Sequence, residues 1–170
     1  IIDRKKVTGQ YPKAIIPVHL YGMPAKMNEI MDIANKYGIP VLEDAAEALG
    51  SEYKGERCGT LGKYGALSFN GNKIITTSGG GMLVCNLDDE TAQERIKKVR
   101  FWSTQSRDPA RHYQHSEIGY NYRMSNIIAG IGRGQLKHLE EHRSLKEKIY
   151  RKYEEAFKDI PVTLNPYTED

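Results

Sequence analysis

Ala14-Ile15-Ile16-Pro17-Val18-His19-Leu20 is a short apolar run that a helix-spaced stripe follows, Met27, Ile30, Met31, Ala34 and Tyr37. Gly38 and Pro40 stop the stripe where a C-cap glycine and a following proline belong, and Val41-Leu42 opens a second apolar run that ends at Glu43-Asp44. Read as strand, helix and strand, this unit implies a crossover connection and parallel pairing. The Met and Ile stripe is the core-facing side of that helix. Further short strands are expected over Ala66 to Asn70 and Gly81 to Asn86, and Gly50 to Gly62 is expected as a glycine-bearing hairpin or loop. Asp88-Asp89-Glu90-Thr91 has the acidic start of a helix running to about Trp102. Thr104 to Glu117 is irregular; a helix starts near Ser125, and a longer one covers about Leu136 to Phe157. Alternating strands and helices favour an open α/β sheet, whose ligands collect at the carboxyl ends of the strands.

Leu67-Ser68-Phe69-Asn70-Gly71-Asn72-Lys73 followed by Ile74-Ile75-Thr76-Thr77-Ser78-Gly79-Gly80-Gly81 carries the chemistry. Lys73 lies just past a strand, with Ser68 five residues before it and glycines after it. Small residues let the backbone approach a ligand, a serine hydroxyl can bind a phosphate oxygen, and a lysine amine can form an imine with a carbonyl cofactor. Asp44 ends the preceding strand, where a carboxylate can face a pyridinium nitrogen. The bland readings are a solvated lysine, a loop acid and a strand serine satisfied by backbone. Their coincidence at strand ends raises all three above those readings.

Pro17-Val18-His19-Leu20-Tyr21-Gly22, Glu43-Asp44-Ala45-Ala46-Glu47, Leu67 to Lys73 and Gly119-Tyr120-Asn121-Tyr122-Arg123-Met124 resemble, in order and spacing, the DegT/DnrJ/EryC1/StrS sugar aminotransferases. The resemblance runs from about Ala14 to Leu139. It is nearest to the branch making 4-amino sugars of the bacillosamine type, through Asn70 to Thr77 and His112 to Gly119. It implies a fold-type I core, a mostly parallel sheet flanked by helices, with pyridoxal 5'-phosphate (PLP) as cofactor. It also implies a fragment incomplete at both ends: residues 1–135 part of the large PLP-binding domain, 136–170 a connecting helix and the start of a small C-terminal domain. The phosphate loop and stacking ring that relatives carry upstream are not recognisable here.

By the same resemblance Lys73 is the catalytic, cofactor-bearing lysine and the group that moves the proton. Asp44 keeps the pyridine nitrogen protonated, and Glu47 reaches the phenolic oxygen or ring region, where a proton would be shared. Ser68 binds the phosphate, joined by Asn121 from the neighbouring subunit of a homodimer with shared sites. Glu43 faces away from Asp44, since neighbours on a strand alternate. His19 and Arg123 stand on the substrate side, His19 being as readily structural. His112, His115 and Glu117 lack a third ligand at useful spacing and read as a substrate-side loop with no metal.

The expected reaction moves an amino group from glutamate to a nucleotide-linked 4-keto-6-deoxy sugar, for surface glycan or glycoprotein sugars. A 3-keto sugar aminotransferase and a non-catalytic PLP-binding regulatory protein are the rivals; lysine at position 73 argues against the dehydratase branch, which has histidine there. A net charge of +3, with basic and acidic residues interleaved as in Lys146-Glu147-Lys148, describes a solvated face and no nucleic-acid partner. Cys58 and Cys85 have no metal-ligand spacing and fit free thiols in a reducing cytoplasm. No apolar run is long enough for a bilayer.

Overall fold

A computed structural model describes residues 1–85 and 90–167. Asn86, Asp88 and Asp89, expected at a strand end and a helix start, lie outside the described residues, as do residues 168–170. The helices are α1 Ile2–Thr8, α2 Met27–Tyr37, α3 Glu90–Ser103, α4 Asn126–Leu136 and α5 Leu139–Phe157. The strands are β1 Leu42–Asp44, β2 Glu52–Tyr53, β3 Glu56–Arg57, β4 Tyr64–Ser68 and β5 Gly81–Cys85. Gly38 closes α2 in the left-handed conformation, φ 63°, and Ser125 caps α4 by accepting the Ile128 N–H. No described helix is long and apolar enough to cross a membrane.

β1 pairs in parallel with β4, and β4 pairs antiparallel with β5. Residues 14–20 lie along the other edge of β1. Ile15 N–H donates to Pro40 O, Leu42 N–H to Ile15 O, Asp44 N–H to Pro17 O and His19 N–H to Asp44 O, all at 2.9–3.1 Å. Pro17 has no N–H, so the rung it would have donated is missing and two isolated parallel bridges replace a continuous strand. β5 runs antiparallel because the chain from β4 to β5 folds back directly, without the helical crossover that a parallel return requires. The expected hairpin is β2 and β3, paired Glu52 to Arg57 and Tyr53 to Glu56.

Two small apolar clusters hold these parts together. Met27, Ala34 and Val41 pack with Ile15, Ile30 and Met31, which is the α2 stripe set against the first strands. Ala45, Ala48 and Cys58 pack with Leu67 beneath the carboxyl ends of β1 and β4. Burial pushes the Cys58 thiol up to about 11, so it is an inert apolar filler there. Both cysteines are free.

Between the clusters sits a buried polar hub. Glu43 and His19 are both fully buried, and His19 Nε2 lies 2.9 Å from Glu43 Oε2. Ala25 N–H donates to His19 Nδ1 at 3.0 Å, so the ring proton is on Nε2 and donates to the carboxylate. Gly59 and Gly62 N–H donate to the two carboxylate oxygens at 2.7 and 2.5 Å. Burial opposes ionisation of Glu43. The bond from His19, with those from Gly62 and Gly59, outweighs it and holds the carboxyl below its ordinary value.

Every one of these partners is a donor, so Glu43→Gln must set an NH2 group against at least one of them. The variant should lose about 1–3 kcal/mol at neutral pH in urea unfolding. Because the folded value is depressed, the stabilisation is present above the ordinary value near 4.5 and fades as pH falls through the folded value. The gap between wild type and Glu43→Gln should therefore shrink in acid; a gap that stays constant would count against this account.

Candidate active site

Parallel pairing of β1 and β4 puts Asp44 and Ser68 at the same carboxyl end of the sheet, where Asp44 lies opposite Ala66. The chain then turns, Lys73 N–H donating to Asn70 O at 3.0 Å. It is drawn back by Thr77 N–H to Phe69 O at 2.9 Å and Phe69 N–H to Gly80 O at 3.0 Å before β5 begins. Lys73 thus stands on a short loop rooted in the sheet.

Glu47 links this loop to the segment ahead of α2. Its Oε1 is 3.4 Å from Lys73 Nζ, and its Oε2 accepts Tyr21 N–H at 2.7 Å. Tyr21 has φ 54° and ψ 25°, a left-handed conformation that costs a non-glycine residue about 1–2 kcal/mol. Gly22, φ 83°, follows it, and a Cβ there would lie 3.1 Å from Glu47 O. This turn aims Tyr21 N–H at the carboxylate and gives the Tyr21-Gly22 pair its physical reason. Tyr21 N–H first, and Lys73 second, hold the Glu47 carboxyl below its ordinary value, so it is ionised at neutral pH.

Glu47, Ser68 and Lys73 line one cleft of about 630 Å³, with Tyr21 on one wall and Arg143 and Tyr150 of α5 on another. Asp44 lies at the adjoining strand end, its Oδ1 accepting Ala46 N–H at 3.2 Å, and is not itself part of the lining. Ser68 Oγ accepts Asn70 N–H at 3.3 Å, which leaves its O–H to donate to a ligand. A second cavity of about 420 Å³, between the sheet and α3, is lined by Leu42, Leu83 and Val99 among others and contains none of the expected site residues. The cleft therefore offers an amine with its side chain only 16% exposed, a hydroxyl and two nearby carboxylates. That donor set fits an aldehyde-bearing, phosphorylated pyridinium ring: amine to aldehyde, hydroxyl to phosphate, Asp44 to ring nitrogen.

Like Asp44, His19 and Arg123 are not among the residues that line the cleft, and neither is Asn121, which was expected to act on the neighbouring subunit's site. Of the two readings for His19, the structure places it in the buried hub, where both ring nitrogens are engaged by Glu43 and Ala25. Asn121 and Arg123 are exposed on an extended segment tied to the end of α3, through Tyr120 N–H to Trp102 O and Arg123 N–H to Ser103 O. That segment still reaches the lysine loop: a Cβ on Gly80 would lie 2.8 Å from Met124 Cε. His112 bonds Gln114, His115 meets the Gln105 carbonyl, and Glu117 is held by Lys98 and Trp102, so all three serve the loop's own fold. Sequence reasoning missed Tyr21 as the backbone donor to Glu47, for which the only sign was a glycine following an aromatic residue.

The model of the DegT/DnrJ/EryC1/StrS aminotransferase family matches residues 3–170. EpsN of Bacillus subtilis (strain 168), a provisionally named pyridoxal phosphate-dependent aminotransferase, is 56% identical over 155 residues, covering 91% of this chain and 39% of EpsN. GDP-perosamine synthase of Caulobacter vibrioides is 46% identical over 143 residues, 84% of this chain and 37% of that enzyme. The crystal structure of a DegT DnrJ EryC1 StrS aminotransferase from Brucella abortus superposes with a TM-score of 0.85 at 32% identity, covering 99% of this chain and 44% of that one. The chain spans about two fifths of the length of the curated relatives it matches.

Proposed function

The chain belongs to the DegT/DnrJ/EryC1/StrS aminotransferase family, with part of its fold-type I core, and from that premise we propose that it is the cofactor-bearing portion of a PLP-dependent nucleotide-sugar aminotransferase. Residues 1–135 form part of the large domain, and 136–170 lead into a smaller one. The cleft that unites Lys73, Glu47 and Ser68 at the carboxyl end of the sheet carries this reading. The similarity to a GDP-perosamine synthase supports a nucleotide-linked sugar as substrate. The Asn70 to Thr77 motif favours a 4-keto-6-deoxy sugar, with glutamate as amino donor. Free thiols at Cys58 and Cys85 suit a cytoplasmic enzyme.

When bound, PLP supplies an electron sink for the carbon that gains or loses the amino group. Lys73 Nζ would hold the cofactor and supply the amine that takes and returns the proton moved in the transfer. Asp44 keeps a negative charge beside the ring nitrogen, and the Ser68 O–H donates to the phosphate. Glu47, ionised and fixed by Tyr21 N–H, steadies the lysine amine across the cleft.

The enzyme works as a homodimer in which Asn121 completes the partner's phosphate site. Ile118 is 83% exposed, Tyr122 77% and Ile127 74%, an apolar surface beside Asn121 that a second copy of the chain would cover.

The test is turnover by the full-length protein on nucleotide-linked 4-keto and 3-keto sugars, with glutamate as donor. Amino sugar and 2-oxoglutarate should form in equal amounts from a 4-keto substrate. Turnover confined to 3-keto sugars would move the substrate assignment, and no turnover with PLP bound would refute the enzymatic reading.

A further inference from the structure

We infer that Gln135 is a positioning residue for Lys73, setting the loop from which the lysine amine enters the cleft. Gln135 Oε1 accepts Thr76 N–H at 3.1 Å, and its Nε2 donates to Thr76 O at 2.8 Å. One side-chain amide thus matches both backbone groups of a single residue, as a neighbouring strand would. Thr76 lies three residues past Lys73, in a stretch that has no strand of its own.

Neighbouring contacts converge on the same stretch. Ile75 is 1% exposed and Thr77 4%. A Cβ on Gly132 of α4 would lie 3.0 Å from Thr77 Cγ2, so helix and loop are in close contact there. His142 of α5 reaches Ile74 O at 3.3 Å through Nδ1. Residues 74–77 therefore rest on the junction of α4 and α5, and the Lys73 amine meets Glu47 at 3.4 Å.

A lysine side chain is long and rotatable, so the place of its amine depends on how firmly its backbone is fixed. A neutral amide is suited to this brace because it both accepts and donates. Glutamate at 135 would keep the bond from Thr76 N–H but set a carboxylate against Thr76 O. Leucine would leave both backbone groups without the partner they have now. A reacting group displaced by about 1 Å can lose about a hundredfold in rate, so a loosened loop should register in chemistry before it registers in binding.

The inference rests on Lys73 being the cofactor-bearing lysine, and the experiment separates the two. In the full-length protein, Gln135→Leu and Gln135→Glu are compared with wild type and with Lys137→Ala, a control on the exposed neighbouring residue. Amide hydrogen exchange across residues 70–81 is measured without cofactor. Attachment of PLP to Lys73 is timed by borohydride reduction and peptide mapping, and kcat and KM are determined separately. In Gln135→Leu, exchange should rise in residues 70–81 while β1 and α2 keep wild-type protection. Attachment and kcat should each fall about tenfold or more with KM within about threefold, Gln135→Glu moving the same way by less and Lys137→Ala not at all.

Wild-type attachment and kcat in folded Gln135→Leu would overturn the positioning role alone. Loosening spread over the whole sheet, or failure of both variants to fold, would overturn it too by making Gln135 a structural residue. A wild-type protein that carries PLP on another lysine would overturn the reading of the site and this inference with it.

Discussion

Full-length protein carrying Lys73→Ala is expected to fold, to bind PLP reversibly and to lose turnover almost completely. The ion pair to Glu47 adds little to stability, because both groups remain partly exposed and Glu47 keeps its bond from Tyr21 N–H. Chemistry is another matter. Loss of a positioned proton-transfer group alone costs about 100- to 10,000-fold, and this variant also loses its covalent hold on the cofactor. Borohydride reduction of wild type should place the pyridoxyl group on Lys73, with no label at all in the variant. A label on another lysine, or turnover surviving in Lys73→Ala, would remove Lys73 from its role. The same variant tests the shared site. Mixed with an inactive Asn121→Asp subunit, it should recover activity, because a mixed dimer gathers both defects in one site and leaves the other intact. No recovery despite proven subunit exchange would mean that Asn121 acts within its own chain or not at all.

The parts of this fold that could be read beforehand are those fixed by local chemistry. The α2 helix ends where Gly38 takes a left-handed conformation, and α4 starts where Ser125 caps it. Alternation along β1 set Glu43 on the face away from Asp44, and that is the face the structure buries. Bounds set by distant pairing were less visible. β4 begins at Tyr64 rather than Ala66 because Leu42 and Cys85 pair with that residue from either side. α5 begins at Leu139, later than its apolar pattern alone indicated, because the chain breaks between α4 and α5 without a glycine or proline to mark it. α1 was not anticipated: its seven residues bury nothing and leave no stripe. In the candidate site, strand ends grouped Asp44, Ser68 and Lys73 and the motif order added Glu47; the structure lines one cleft with Glu47, Ser68 and Lys73 and leaves Asp44 at the adjoining strand end. Bonds from a side chain to distant backbone, such as Glu47 to Tyr21 or Gln135 to Thr76, have no period and no spacing, so nothing in the sequence announces them.

Asp44→Asn should leave the fold nearly unchanged and lower turnover by about 100-fold or more, the scale of losing one strong electrostatic stabiliser. The structure makes this a clean substitution. Asp44 is held mainly through its backbone, whose N–H donates to Pro17 O and whose carbonyl accepts His19 N–H, and its Oδ1 accepts a short-range bond from Ala46 N–H. Asparagine keeps that oxygen and its shape, so urea unfolding should change little. What disappears is the fixed negative charge at the end of β1. With Asp44 as partner of the ring nitrogen, a neutral amide there would leave the pyridine a weaker electron sink for the transfer step. The loss should therefore fall on kcat, with KM for the sugar nucleotide close to wild type, because Asp44 is not among the residues that line the cleft. Glutamate is a useful comparison: Asp44→Glu restores the charge one methylene further out and should recover part of the rate. If folded Asp44→Asn turns over at nearly the wild-type rate, Asp44 is a turn-forming residue that closes β1 through Ala46, and the partner of the ring nitrogen must be sought elsewhere.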